Sequence, residues 1–401
     1  MKIKIAVFPG DGVGPELINE GIKVIEKAAE LDKFGIEWAR FPHGAEHYLE
    51  TREELTEKAL EEIKDSCNAV YCGPIDSIET QSVSGRQKPD EFERVKRAHP
   101  RAAGFLNAAN GRKIPNIIRD YFAQFLSLRP IRLFPSVESP LANKAENQVD
   151  FVVMKENFEE FYAGASGRAK SGKNRQQLDI GKDSFRARFG LNIDAKGEIA
   201  YQVGMLSRKG CENVAKFAFE YAKSKNKKKV TAVDKANMLG FHNIWKESFE
   251  SVSRDYKGID VEFELIDLAA MNFIRQPEKY EVVAAPNMIG GILGDLGAAL
   301  QGNLAFACRA NINPEGISMF EPAHGSAAKL KGQGIVNPIA AIWAGALMLD
   351  SLGLQESSSL IIRAIEGVLR ENRTRTLDLS GNNSTSEMGD AIVDKFIDIH
   401  D

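Results

Sequence analysis

The chain has 401 residues, of which 43% are hydrophobic and 27% charged. That composition belongs to a globular protein, and the length suits two packed domains better than one core. The net charge of -4 gives no reason to expect nucleic acid or an anionic membrane as partner, and no apolar run approaches the ~18 residues of a membrane span.

The chain opens with "MKIKIAVFPG", a short apolar run with no small-residue cleavage site after it, which predicts a buried first strand and not a signal peptide. "GDGVGP" then punctuates, and "ELINEGIKVIEKAAEL" sets Leu17, Gly21, Ile25 and Ala28 on one helical stripe, with Pro15 suited to its first turn. The strand-then-helix rhythm returns at "NAVYCGP", at "KKVTAVDKANMLGFHNIWKESFESV", at "YEVVAAPNMIGGILGDLGAAL" and at "NPIAAIWAGALMLDSLG". This alternation predicts an α/β protein with a mostly parallel sheet. Two regions break the rhythm. Residues 76 to 113 are polar and basic, and residues 164 to 200 mix glycine, lysine and arginine; each reads by default as a solvated loop or hairpin. Four cysteines (Cys67, Cys72, Cys211, Cys308) show no metal-type or redox spacing, so a reducing, cytoplasmic compartment is expected.

Several short motifs stand out, each with a plain alternative. "GDGVGP" lacks the G-x-G-x-x-G spacing, so it is a weak dinucleotide signal and a better strand-to-helix turn. "RDYFAQFLSLRP" places Arg119 at a helix start and Arg129 before Pro130, where helices tend to stop. As a pair these arginines could clamp a carboxylate through forked, permanently charged donors. "VVMKENFEEFYAG" carries Lys155, Glu156 and Tyr162 after an apolar strand; the plain alternative is an amphipathic segment with a core tyrosine. Lys235 in "VTAVDKANM" follows a buried strand, the end at which α/β proteins place their chemistry. Asp267 in "ELIDLAAM" could simply serve a helix N-terminus. "EPAHGSAAKLKGQGIVNP" is a run of small residues with His324, suited to a nucleotide loop.

Taken in order, "GDGVGPE", "LRP", "KENFEEFYAG", "VDKANML", "GDLGAAL", "EPAHGSA…GQGIVNP" and "RTLDLSG…EMGDAI" resemble the β-decarboxylating dehydrogenases, the family of isocitrate, 3-isopropylmalate and homoisocitrate dehydrogenases. The resemblance spans almost the whole chain, and "KENFEEFYAG" and "LRPIRLFP" lie nearer the isocitrate members. It implies a two-domain α/β fold that is not a Rossmann fold, with the active-site cleft between domains. A large cofactor-side domain is expected at 1–124 plus 302–401, and a small domain at 125–301 carrying an intersubunit arm at about 164–200. The family works as a homodimer with shared active sites, and a higher oligomer is left open.

The implied reaction is NAD- or NADP-dependent oxidative decarboxylation of a malate-type 2-hydroxy acid, assisted by Mg²⁺ or Mn²⁺. The resemblance makes Lys235, supplied to the partner subunit, the group that takes the hydroxyl proton, and Tyr162 the one that protonates the enol carbon. Arg119, Arg129 and Lys155 would hold the substrate's carboxylates, and Asp267 and Asp295 the metal. His324, Gly325, Ser326, Ala327, Lys329 and Asn337 would line the cofactor site. Arg373 and Arg375 could meet a 2′-phosphate.

Three departures from the family's pattern matter. Lys155 stands where the family places arginine, keeping the charge without the fork. Gly291 stands where the first of two metal aspartates is expected, one helical turn before Asp295, so "NMIGGILGDLGAALQG" reads as a metal site short of a carboxylate, with weakened binding. Lys113 and Pro115 occupy the positions that read the third carboxylate in isocitrate members, so Lys113 is expected to contact another anionic substituent. Two alternatives stay open, a catalytically attenuated regulatory subunit and a dehydrogenase that does not decarboxylate.

Overall fold

The computed structural model describes residues 2–51, 53–75, 113–142, 144–182 and 184–400, with the side chain of Lys113 outside that description. Most of the basic region from 76 onward, and with it the expectation for the Lys113 side chain, lies outside the described residues. "KIKIAVF" forms β1 (Lys2–Phe8) and its amphipathic successor α1 (Gly14–Leu31), followed by β2 (Gly35–Arg40), α2 (Ala45–Thr51), α3 (Glu57–Ser66) and β3 (Ala69–Cys72). Then come α4 (Lys113–Tyr121), β4 (Leu126–Arg132), β5 (Asp150–Glu156), β6 (Ser166–Ala169), β7 (Gly172–Lys182), β8 (Phe185–Ala195) and β9 (Ile199–Gln202). The chain continues through α5 (Arg208–Ser224), β10 (Lys229–Asp234), α6 (Asn243–Ser253), β11 (Asp260–Leu265), α7 (Ile266–Arg275), β12 (Val282–Ala285) and α8 (Asn287–Leu300). It ends with β13 (Cys308–Ile312), β14 (Ser318–Pro322), α9 (Ile339–Ser351), α10 (Gln355–Glu371) and α11 (Thr385–His400).

These elements form two compact units, one of Met1–Gln124, Phe134–Pro140 and Gln301–Asp401, the other of Phe125–Leu133 and Leu141–Leu300. In the first, the strands run β13-β14-β3-β1-β2, parallel except for the β13–β14 pair. Helix α9 is buried along nearly its whole length, as its sequence, apolar from Ile339 to Leu349, requires. Leu17, Gly21, Ile25 and Ala28 are all buried on α1, as the stripe predicts. Trp343 of α9 meets Phe134 edge-on at 5.0 Å, a contact worth about 0.5–1.5 kcal/mol beyond burial.

In the second unit the order is β11-β10-β12-β5-β4, parallel except for β4 against β5. Phe151, Phe273 and Tyr280 pack edge-to-face beneath it, and Trp245 and Phe249 pack against each other nearby in the chain. The segment 164–200 is built as antiparallel pairs, β7 with β8 and β6 with β9.

The helix expected from Arg119 toward Arg129 does not form. Arg119 lies near the end of α4, Ala123 adopts φ 48°, and Arg129 sits inside strand β4. "LSLRPIR" is instead taken into the sheet, with Leu126 to Arg129 all buried, and Pro130 is tolerated opposite Val152 in the antiparallel pair.

Candidate active site

The second unit gathers most of the residues expected to act on substrate. Lys235 follows the C-terminal end of β10 and is only partly exposed; its ammonium pairs with Asp267 in the first turn of α7. That hydrogen bond holds the Asp267 carboxyl below the usual carboxylate range. Asp267 thus lies in the first turn of its helix, as its plain reading allows, and the sequence did not announce its lysine partner. Arg129, buried in β4, donates from Nη1 to Asp295 Oδ1 on α8 at 2.5 Å, while the Asp295 side chain is 75% exposed. An expected substrate cation and an expected metal ligand are therefore partners of each other.

Lys155 is buried at the end of β5 and donates to Asn287 Oδ1 at 2.6 Å and to the Glu156 carbonyl at 3.0 Å. Its ammonium is held by protein oxygens at the start of α8. The neighbouring Glu156 carboxylate accepts the Phe158 and Glu159 amides at 2.6 and 2.7 Å, and burial pushes its carboxyl above the ordinary value. Tyr162 is no core tyrosine: it is 61% exposed on a single helical turn. Arg119 is half-buried on α4 of the first unit.

Helix α8 answers why so many glycines surround one acid. A Cβ on Gly290 would stand 2.7 Å from Lys155 Cγ, on Gly294 2.7 Å from Arg129 Cδ, and on Gly297 2.6 Å from Ile131 Cδ1. These three glycines let the helix lie directly on β5 and β4. Gly291 differs, for its Cβ would find only Lys155 Cδ, at 3.9 Å. A side chain at position 291 has room.

The donors fit a hard cation in kind but not in number. Asp267 and Asp295 are engaged with separate cations, and among the described residues no group of three or more His, Cys, Asp or Glu side chains could hold a metal. One chain by itself does not complete an oxygen cage for Mg²⁺ or Mn²⁺.

In the first unit, the two glycine-bearing motifs meet. Gly12, at φ 60°, lies so close to the Ser326 carbonyl that no Cβ would fit, and that carbonyl accepts the Val13 amide at 2.9 Å. Asp11 accepts the Ala45 and Glu46 amides at 3.0 and 2.8 Å and so caps α2. Ser326 is buried, while Gly325, Ala327 and Lys329 are exposed. His324 Nδ1 lies 2.9 Å from the Gly325 carbonyl, which puts the ring proton there. Its Nε2 is a buried acceptor without a partner among the described residues, and burial pushes the imidazole pKa down. Such an acceptor suits the amino group of an adenine. Asn337 is committed within the protein, accepting the Ile339 amide at 3.0 Å and donating to Asp378 at 3.1 Å. Arg375 Nε donates to the Leu379 carbonyl at 2.5 Å, and Nη1 to Asn372. Arg373 is exposed.

Sequence reading missed three buried polar residues of the second unit, Glu160, His242 and Asn287. Asn287 binds the Lys155 ammonium across 132 positions, which no local spacing announces. His242 lies among aromatic residues in "GFHNIW" and looks like core; its distance of seven residues from Lys235 was the available signal.

The pattern described as isocitrate/isopropylmalate dehydrogenase matches residues 4–97 and 107–392. The chain is 33% identical to the D-malate dehydrogenase [decarboxylating] of Escherichia coli (strain K12), over 97% of each chain. It is also 33% identical to the tartrate dehydrogenase/decarboxylase of Pseudomonas putida, covering 98% of this chain and 97% of that one. Among solved structures, the isocitrate dehydrogenase from Methylococcus capsulatus superposes with a TM-score of 0.75 at 26% identity, over 98% of this chain and 99% of that chain.

Proposed function

Because the chain belongs to the isocitrate/isopropylmalate dehydrogenase family and is an oxidoreductase, we propose that it oxidises and decarboxylates a malate-type 2-hydroxy acid, with NAD or NADP as hydride acceptor. The observation that carries this reading is the set of paired charges in the second unit, Lys235 with Asp267 and Arg129 with Asp295. Each holds a cation suited to an anionic acid beside a carboxylate suited to a hard cation.

Oxidation takes a hydride from C2, which NAD or NADP, when bound, would accept; the hydroxyl proton leaves its oxygen, and the 3-carboxylate departs as CO₂ from the resulting 2-keto acid. Lys235 takes the hydroxyl proton, and the exposed Tyr162 hydroxyl returns a proton to the enolate carbon. Arg129 offers its guanidinium to a substrate carboxylate once Asp295 turns to other company. Lys155, held by Asn287, acts on the substrate's carboxylates as a fixed positive charge within the β5 end. A divalent ion, when bound, would polarise the C2 oxygen and favour the enolate. His324, with Gly325 to Ala327 beside it, receives the adenine end of the cofactor.

The working form on this reading is a homodimer with shared sites. The compartment is the cytoplasm, in keeping with four buried, unpaired cysteines. Among the described residues no helix is long and apolar enough to cross a membrane.

The test is nucleotide reduction by purified protein with Mn²⁺ and, in turn, D-malate, tartrate, 3-isopropylmalate and isocitrate, each with NAD⁺ or NADP⁺. Turnover of at least one acid with stoichiometric CO₂ is expected. Reduction without CO₂ would leave a dehydrogenase that does not decarboxylate. No reduction of either nucleotide would overturn the reading in favour of an attenuated, regulatory subunit.

A further inference from the structure

Glu160 and His242 are both fully buried in the second unit, with Glu160 Oε1 3.2 Å from His242 Nε2 as a close charge contact, and among the described residues neither atom has a hydrogen-bond partner. The other ring nitrogen, Nδ1, accepts the backbone amide of Lys235 at 3.2 Å. Nδ1 can accept only if it carries no proton, so in the neutral ring the proton sits on Nε2, facing Glu160. The second carboxylate oxygen of Glu160 accepts the Met288 amide in the first turn of α8. Three segments therefore meet on one carboxylate: the Tyr162 turn, the loop after β10, and the start of the helix that bears Asp295.

The surroundings hold this junction firmly. Glu160 adopts φ 62° and ψ -136°, a conformation rarely tolerated outside glycine. It exchanges backbone hydrogen bonds with Met205 at 2.7 and 3.2 Å. One residue along on each side, the rings of Phe161 and Phe241 meet edge-on at 5.5 Å. Residues 160–161 and 241–242 thus make two adjacent cross-links. Burying a carboxylate beside an imidazole adds little stability over an apolar pair of the same volume, whereas it fixes one register between the two segments.

We infer that His242 is a positioning residue for Lys235, anchored by Glu160, so that the buried pair fixes the backbone from which Lys235 is presented to the partner subunit's site. The inference rests on the role proposed above for Lys235. Misplacing a reacting group by about 1 Å costs about 100-fold in rate while leaving substrate contacts in place, so the effect belongs in kcat more than in KM.

Three variants of the full chain separate this from plain packing. His242→Leu removes both contacts. Glu160→Gln turns an amide donor toward the imidazole, which reverses the ring tautomer and breaks the bond to Lys235. His242→Asn keeps an acceptor in the Nδ1 position and loses only the reach to Glu160. With whichever of D-malate, tartrate, 3-isopropylmalate or isocitrate the wild type oxidises, His242→Leu and Glu160→Gln should lower kcat about 10- to 100-fold with KM within about threefold, and His242→Asn should regain most of it.

Amide hydrogen exchange without substrate supplies a second readout, independent of any activity. Lys235 should lose protection in His242→Leu and Glu160→Gln and keep it in His242→Asn. Wild-type kcat and wild-type exchange at Lys235 in His242→Leu or Glu160→Gln would overturn the inference, as would exchange that rises uniformly along the chain. If His242→Leu does not fold, Glu160→Gln decides. If the wild type oxidises none of the acids, the proposed reaction fails and the exchange measurement alone decides the positioning.

Discussion

Lys235 shows how much one side chain is asked to do. Its ammonium meets an Asp267 carboxylate that is 67% exposed, so removing the charge strands nothing in the interior. Lys235→Met should therefore keep the fold, with an unchanged thermal midpoint, and lower kcat below about a tenth, or about 1.4 kcal/mol of barrier; a variant retaining more would not have lost its base. Gly291 offers the converse experiment. With 3.9 Å of clearance to its nearest neighbour, Gly291→Asp adds a carboxylate one turn before Asp295, and titration calorimetry should show tighter Mn²⁺ binding. An unchanged or weaker Kd would mean the position does not face the ion. Glu156 makes a pH argument. Burial raises its folded pKa above the ordinary 4.5, so above that value the unfolded chain gives up this proton more readily. The contribution of Glu156 is thus most favourable below the ordinary value and declines as pH rises toward the folded one. Urea unfolding at about pH 5 and about pH 8 should show a smaller loss of stability across that interval in Glu156→Gln than in wild type; parallel losses would remove Glu156 as the cause. The burial of Lys155 and Glu156 was not legible beforehand, because both close an apolar strand and their partners arrive through the fold.

At the scale of the element, α8 separates two jobs that look alike in the sequence. Gly290, Gly294 and Gly297 touch β5 and β4, while Gly291 does not. Gly297→Ala would push a methyl to 2.6 Å from Ile131 Cδ1, an overpacking cost of about 1–3 kcal/mol against a helix-propensity gain of about 1 kcal/mol. Gly291→Ala collects that gain without the clash. Urea midpoints of the two should move in opposite directions, down for Gly297→Ala and up for Gly291→Ala; the same direction for both would contradict the packing described here. The glycines were legible as an oddity, but the close approach behind Gly290, Gly294 and Gly297 needed the strands beneath. Elsewhere the elements were readable because each carried its own period: "KIKIAVF" and the stripe on α1 folded as their patterns require. "RDYFAQFLSLRP" misled because Pro130 stops helices, and an antiparallel strand can also accommodate it.

For the whole molecule, the segment 164–200 is the test of assembly. Strands β7 and β8 pair along eleven residues each, from Gly172 opposite Ala195 to Lys182 opposite Phe185. Alternation divides the ribbon into a polar face with Arg186, Arg188, Asn192 and Asp194, all exposed, and a face with Phe185, Ala187, Phe189, Leu191 and Ile193, all half-buried. Leu178, Ile180, Phe185 and Phe189 pack on Ala163 and Ala165, but that cluster does not include Leu191 or Ile193. A two-stranded ribbon is marginal alone in water, and two large aliphatic side chains are left half-covered at its far end, which a second copy of the chain would cover. Covering the remaining half of each contributes about half of the 1.5–3 kcal/mol of full burial, in both protomers of a symmetric dimer, so replacing both by aspartate should weaken dimerisation by about a hundredfold or more. In sedimentation equilibrium the wild type should behave as a dimer and the Leu191→Asp, Ile193→Asp double variant as a monomer. Asn192→Asp, on the polar face of the same strand, should change nothing. A double variant that stays dimeric would place the interface elsewhere, and a wild type that is monomeric at all concentrations would remove the shared-site reading altogether.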